Sequence, residues 1–223
     1  MYYTIRFTIF LAAAAVLSAQ DRFDMVVRND FFAGFAGNRE ALDRGMKKCE
    51  EILAANPKHA EAMVWHGSGE FFISGEAARD HDYIKAMELS QRGLDEMASA
   101  VALEPDNVAV RIPRGATLLA ASRVIEGEQG RELLTTGLVD YERVYAKQQS
   151  YFDTLSTHAR AELLFGLGEG YMRSGDQARA REWFEKLIAM GPSGHLDQAK
   201  AYLATGELKV QGIGCAGCHV ANK

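Results

Sequence analysis

Three side chains able to bind or transform a partner group stand together near the C-terminus, in the run Cys215-Ala216-Gly217-Cys218-His219. A thiolate is a nucleophile and a soft metal ligand, and an imidazole binds metals through either ring nitrogen. In a helical turn Cys215 and Cys218 stand at i, i+3, with His219 at i+4 from Cys215, so all three share one face. Such a pair can close a Cys215–Cys218 disulfide. A structural zinc site would need a fourth ligand and usually a second cysteine pair, and the chain has only three cysteines. The third, Cys49, falls in the apolar slot of a helical pattern and reads as a small buried side chain.

The run resembles the haem-attachment motif of c-type cytochromes. That resemblance implies one covalent haem c. Cys215 and Cys218 would form thioether bonds to its vinyl groups, and His219 would be the axial iron ligand. In that family haem is attached outside the cytoplasm. The thioredoxin-like use of a Cys-x-x-Cys pair goes with a βαβ pattern, which this sequence does not show. Cytochrome c domains wrap their haem and supply a downstream Met or His, whereas only Val220, Ala221, Asn222 and Lys223 follow here. Cover must therefore come from the preceding chain or from a partner, or the haem stays exposed. Distal-ligand candidates are His195, nearest in sequence, then His158, His66, His59, His81 and several methionines. His195 also reads as a surface or capping residue, and Met63, Met97 and Met190 as core filler. An open or water-bound sixth site fits equally.

The elements that must position this tail form a repeat. One pattern recurs: a small residue, a large one four positions on, and an apolar or small one three further. The copies are Gly45/Cys49/Ile52, Gly93/Met97/Ala100, Gly137/Tyr141/Val144 and Ala180/Phe184/Leu187. Those spacings mark one face of an α-helix. The small residue lets a neighbouring helix approach closely, which outweighs the helix cost of glycine of about 1 kcal/mol. The copies start 48, 44 and 43 residues apart, the scale of a helical solenoid. Leu164, Leu167, Gly168, Tyr171, Gly175, Asp176, Ala180, Phe184, Leu187 and Pro192 fall at the spacings of a tetratricopeptide repeat, and this stretch resembles that family. Pro57 and Pro105 echo Pro192, and Gly67 and Gly115 echo Gly168. The earlier units exceed the family's 34 residues, so longer helices or turns are expected around Gly75 to Asp82 and Glu126 to Arg131.

The fold expected is all-α: an antiparallel helix-pair solenoid, a tetratricopeptide-like superhelix, with an irregular C-terminal tail. The spacing predicts nine helices, near 23–35, 39–55, 59–73, 80–103, 107–125, 129–150, 157–174, 177–190 and 194–205. The last would close the apolar face of the fourth pair. Residues 20–206 form the solenoid and 207–223 a flexible tail.

The N-terminal segment and the composition bound the setting. Arg6, an apolar run from Phe7 to Leu17, then Ser18 and Ala19 have the layout of a secretory signal peptide spanning 1–19. The expected location is periplasmic or otherwise exported. No later stretch is apolar enough to span a bilayer. The net charge of -5 over 223 residues argues against a nucleic-acid partner, which wants a basic face. Protein partners, redox proteins among them, are expected in the solenoid groove.

Weaker features are read as follows. Arg111 and Arg114 flank Pro113 near a helix start and suit a solvated face, or a clamp on a partner's carboxylate or a haem propionate. Asp80-His81-Asp82 suits a polar helix start, with metal binding the other use. His59 suits a solvated helix start and His66 a satisfied core position. No catalytic residues are assigned. The role expected is electron transfer or redox-complex assembly, with a haem-free scaffold, or a haem enzyme or sensor with an open iron site, as alternatives.

Overall fold

Polar side chains set where the helices begin. Asn38, His59, Asp82, Asn107, Ser156 and Asp176 each accept a hydrogen bond from a backbone N–H two or three residues on. Each bond satisfies one of the donors that a first helical turn leaves unpaired. The chain, described over residues 22–208 in a computed structural model, forms α1 (Phe23–Phe35), α2 (Arg39–Ala55), α3 (Ala60–Arg79), α4 (Tyr83–Leu103) and α5 (Val108–Ala121). It continues through α6 (Gly127–Gln148), a 3-10 turn (Gln149–Thr154), α7 (Thr157–Ser174), α8 (Gln177–Ala189) and α9 (Leu196–Thr205). No strand occurs among the described residues. The 1–19 signal segment and the Cys215, Cys218 and His219 assignments lie outside them.

Consecutive helices pack as neighbouring pairs, α1 on α2, α3 on α4, α5 on α6 and α7 on α8, with α9 closing on α8. This is an all-α helix-pair solenoid. The junctions before α3 and α5 use one turn twice. The His59 N–H bonds the Asn56 carbonyl around Pro57, and the Asn107 N–H bonds the Glu104 carbonyl around Pro105, both at 3.1 Å. Proline suits such a stop because it has no N–H to continue a helix. At the α7–α8 turn, Gly175 takes φ +88°, where a side chain would be strained.

The glycines expected at helix contacts are there. A Cβ on Gly93 would stand 2.6 Å from the Gly67 carbonyl oxygen, and one on Gly67 would stand 2.7 Å from that of Gly93. The backbones of α3 and α4 touch at this point. Gly168 faces the Phe184 ring at 2.7 Å and Gly45 the Phe31 ring at 2.9 Å in the same sense.

Several helix bounds differ from the pattern, among them the start of α4, at Tyr83 rather than 80, and both ends of α6, which runs over Gly127–Gln148 rather than 129–150. α3 runs on through Gly75 to Arg79 rather than stopping near 73. Its C-terminal half is held by α4, and the Ser74 hydroxyl donates to the Phe71 carbonyl within the helix. Packing here overrides the weak propensity of Ser-Gly. The second unit's extra length thus lies in helices of 20 and 21 residues. α5 stops at Ala121, not 125, where Arg123 leaves the helix to reach Glu169. α9 begins at Leu196 rather than 194.

Two apolar clusters fill the interior. The first holds Val27, Phe31, Leu42, Trp65, Met97 and Val110 among others; the second includes Leu138, Tyr141, Leu167, Phe184 and Tyr202. They meet on the α5–α6 pair. Leu118 and Leu133 face the first cluster, and their neighbours Leu119 and Leu134 the second. Tyr202 of α9 lies 4.7 Å from the Phe184 ring, so α9 covers the fourth pair as expected. No helix among the described residues is long and apolar enough to cross a membrane.

Candidate functional site

The Cys215–His219 run lies outside the described residues, so the geometry bears on it only through the side chains that could assist it. His195, the nearest candidate, is the N-cap residue of α9 and lies flat on Phe165, ring centroids 4.1 Å apart. Both its ring nitrogens are engaged. Nδ1 is 2.8 Å from Gln198 Oε1 and Nε2 is 2.8 Å from Glu162 Oε1. Burial would lower its pKa, but the bonds to Glu162 and Gln198 and the Glu162 charge outweigh burial and raise it. To ligate iron it would have to release one of these partners. His158 stands 3.9 Å from the same Glu162 carboxylate, and His59 caps α3. His81 contacts Tyr83 at 3.0 Å in the turn that leads to the Asp82 cap.

Cys49 is fully buried in the first cluster. Burial, then the charges of Glu96 and Glu50, push its thiol far above the ordinary range, so it stays protonated and inert.

Arg111 and Arg114 form neither a solvated face nor a clamp on an outside group. Both reach the carboxylate of Asp140 on α6, which is wholly buried, at 2.5 and 2.6 Å. One helical turn apart, the two guanidinium groups enclose a single carboxylate. Sequence spacing brought the arginines together on α5, but Asp140 lies on the next helix.

A second buried carboxylate, Glu169 on α7, is held by Arg123 at 3.0 Å and Arg173 at 2.7 Å. Burial lowers the Arg173 pKa against the pull of Glu169, and Arg123 lowers it further.

Another buried carboxylate differs. Glu70 on α3 meets one arginine, Arg92 of α4, whose Nε lies 2.6 and 2.7 Å from its two oxygens. One turn before it, His66 Nδ1 is 2.7 Å from Glu96 Oε2 of α4, and Nε2 is 3.9 Å from Glu50 Oε1 of α2. Ligand atoms of His66, Glu70 and Glu96 lie within 4.8 Å of one another. This is the set among the described residues that could hold a metal ion. The sequence reading placed His66 as a satisfied core histidine and missed the two glutamates. The register that brings them together comes from the Gly67–Gly93 contact, since His66 precedes Gly67 and Glu96 follows Gly93 by three.

No family model, curated protein or solved structure matches the chain. The site therefore rests on the residues themselves.

Proposed function

We propose that this chain is an exported helical-repeat protein of the tetratricopeptide kind that carries one haem c on its C-terminal tail. Its role would be to transfer electrons, or to hold a redox centre, within a periplasmic assembly. The observation that carries this reading is the run Cys215-x-x-Cys218-His219 in a chain whose remaining cysteine is buried and inert. The donor set suits the group: two thiols for two vinyl positions and an imidazole beside the second thiol. Cys215 and Cys218 would hold the porphyrin edge, and His219 would bind its iron from one side. Haem held there supplies a one-electron couple. Burial of Cys49 supports the reading because it leaves the tail thiols with no competing partner inside the fold. The helix pairs supply the docking surface for a protein partner.

A haem stain and a pyridine haemochrome spectrum on protein made with cytochrome c maturation machinery test this. Covalent haem is expected in the wild type and none in a Cys215→Ala, Cys218→Ala variant. No haem in the wild type would leave a haem-free scaffold whose tail thiols close a disulfide. A six-coordinate low-spin spectrum is expected for electron transfer. A high-spin spectrum that shifts with carbon monoxide would instead place the protein among haem enzymes or sensors.

A further inference from the structure

The second unit presents a concave surface. A groove of about 680 Å³ runs along α4 past Met87, Gln91, Arg92, Asp95 and Glu96 and is also lined by Met63 of α3. His66 and Glu70 lie one and two turns along α3 from Met63, and Glu50 approaches from α2.

We infer that His66, Glu70 and Glu96 form a binding site for one divalent metal ion beside this groove, which Glu96 lines. Three observations carry it. The first is ligand chemistry: one imidazole nitrogen and two carboxylates, from two helices locked in register by the Gly67–Gly93 backbone contact. Ligand atoms around such an ion stand about 3.0–3.5 Å apart for metal–ligand distances of about 2.0–2.2 Å. The 4.8 Å set would have to draw together to that spacing through the torsions of the glutamate side chains. The second is charge. Glu50, Glu70 and Glu96 surround one imidazole, and among the described residues Arg92 is the arginine that pairs with them. The third is access. The Arg92 side chain is 57% exposed, so it can swing into the groove and release Glu70, whose side chain is only 6% exposed.

In this arrangement the ion takes the place of the hydrogen shared by His66 Nδ1 and Glu96. The His66 Nε2–H then points toward Glu50, which serves as the carboxylate that orients a metal-bound imidazole. Three protein ligands leave positions open, the pattern of a site that can take water or a substrate oxygen. The Glu70–Arg92 pair is the resting form. It keeps a buried carboxylate neutralised until a cation replaces the guanidinium.

Manganese is the probe, because a hard cation prefers carboxylate and imidazole over the tail thiols. Added to the full chain, Mn²⁺ is expected to lose its free-ion electron paramagnetic resonance signal at one equivalent per chain. Glu96→Gln and His66→Gln are each expected to weaken binding at least tenfold, in line with the about 10–100-fold cost of disturbing a metal site. Arg92→Ala is expected to tighten it several-fold by removing the competing cation. Helicity recorded by circular dichroism shows whether each variant is folded, and the exposed Arg92 makes its variant the safest to read. Mn²⁺ that stays free at millimolar concentration in both the wild type and Arg92→Ala would overturn the inference. So would binding that neither glutamine substitution weakens. The outcome is separate from haem loading, which is read at Cys215 and Cys218.

Discussion

The two halves of the molecule bury a carboxylate in different ways. In the C-terminal half, Glu169 is enclosed by Arg123 and Arg173, whose side chains are 19% and 17% exposed. In the N-terminal half, Glu70 meets one arginine that is mostly in water, with a histidine and two more glutamates beside it. The first arrangement is closed: one carboxylate sits between two arginines that are mostly shielded from water. The second carries surplus negative charge and opens onto a groove. A carboxylate sealed by two half-buried guanidinium groups stabilises an interface. A carboxylate held by one mobile arginine is a group that can change partners.

Substitution separates the two most sharply. Glu169→Ala strands two half-buried arginines and is expected to cost about 3 kcal/mol in urea unfolding, the lower end of the penalty for breaking a buried ion pair. Glu70→Ala frees an arginine that water already reaches, and about 1 kcal/mol is expected. Equal losses would show that the two sites are alike and that the open one is merely structural.

The helix contacts give a second contrast, smaller in size. Gly93→Ala drives a methyl into the Gly67 carbonyl and the Phe71 backbone nitrogen, at 2.6 and 2.8 Å. Backbone cannot yield without separating α3 from α4, so about 1–3 kcal/mol is expected. Gly168→Ala meets the Phe184 ring instead. A ring can tilt, and alanine recovers helix propensity, so about 1 kcal/mol or less is expected from thermal melts.

The smallest effect is in pH. His195 has its pKa raised above 6.5 in the folded state, with Glu162 and Gln198 outweighing burial and the opposing charge of Arg123. Its contribution to stability is therefore full below about pH 6.5 and lost as pH rises through the raised value. Nuclear magnetic resonance titration of the imidazole should show the raised pKa. His195→Gln should flatten the fall in melting temperature on the alkaline side.

Much of this architecture was legible from residue spacing. The small-large-apolar pattern and the Ser174-Gly175-Asp176 turn place most helix ends within a residue or two of where they fall. The tight glycines were legible because a small residue at a fixed place on a helix face has a packing reason. Charge partners were not. Arg111 and Arg114 look the same in sequence whether they face water or Asp140, because the acid lies 26 to 29 residues away on another helix. His66 and Glu70 announce a shared face at i, i+4, but Glu96 joins them only through the α3–α4 register. The α3 extension past 73 was hidden because Ser74 and Gly75 read as a stop until α4 packs against them. At the tail, Cys215, Cys218 and His219 declare their chemistry by type and spacing, whereas what would cover a haem there depends on contacts that spacing does not encode.

The α5–α6 pair, whose adjacent leucines face opposite clusters, also governs how the molecule comes apart. In a repeat array each unit is stabilised chiefly by its neighbours. Here the two clusters share a single party wall, so α1–α4 and α7–α9 lose their order together as long as that wall stands. A methyl-sized void at Leu118 or Leu134 would loosen the joint and turn one cooperative melting step into two.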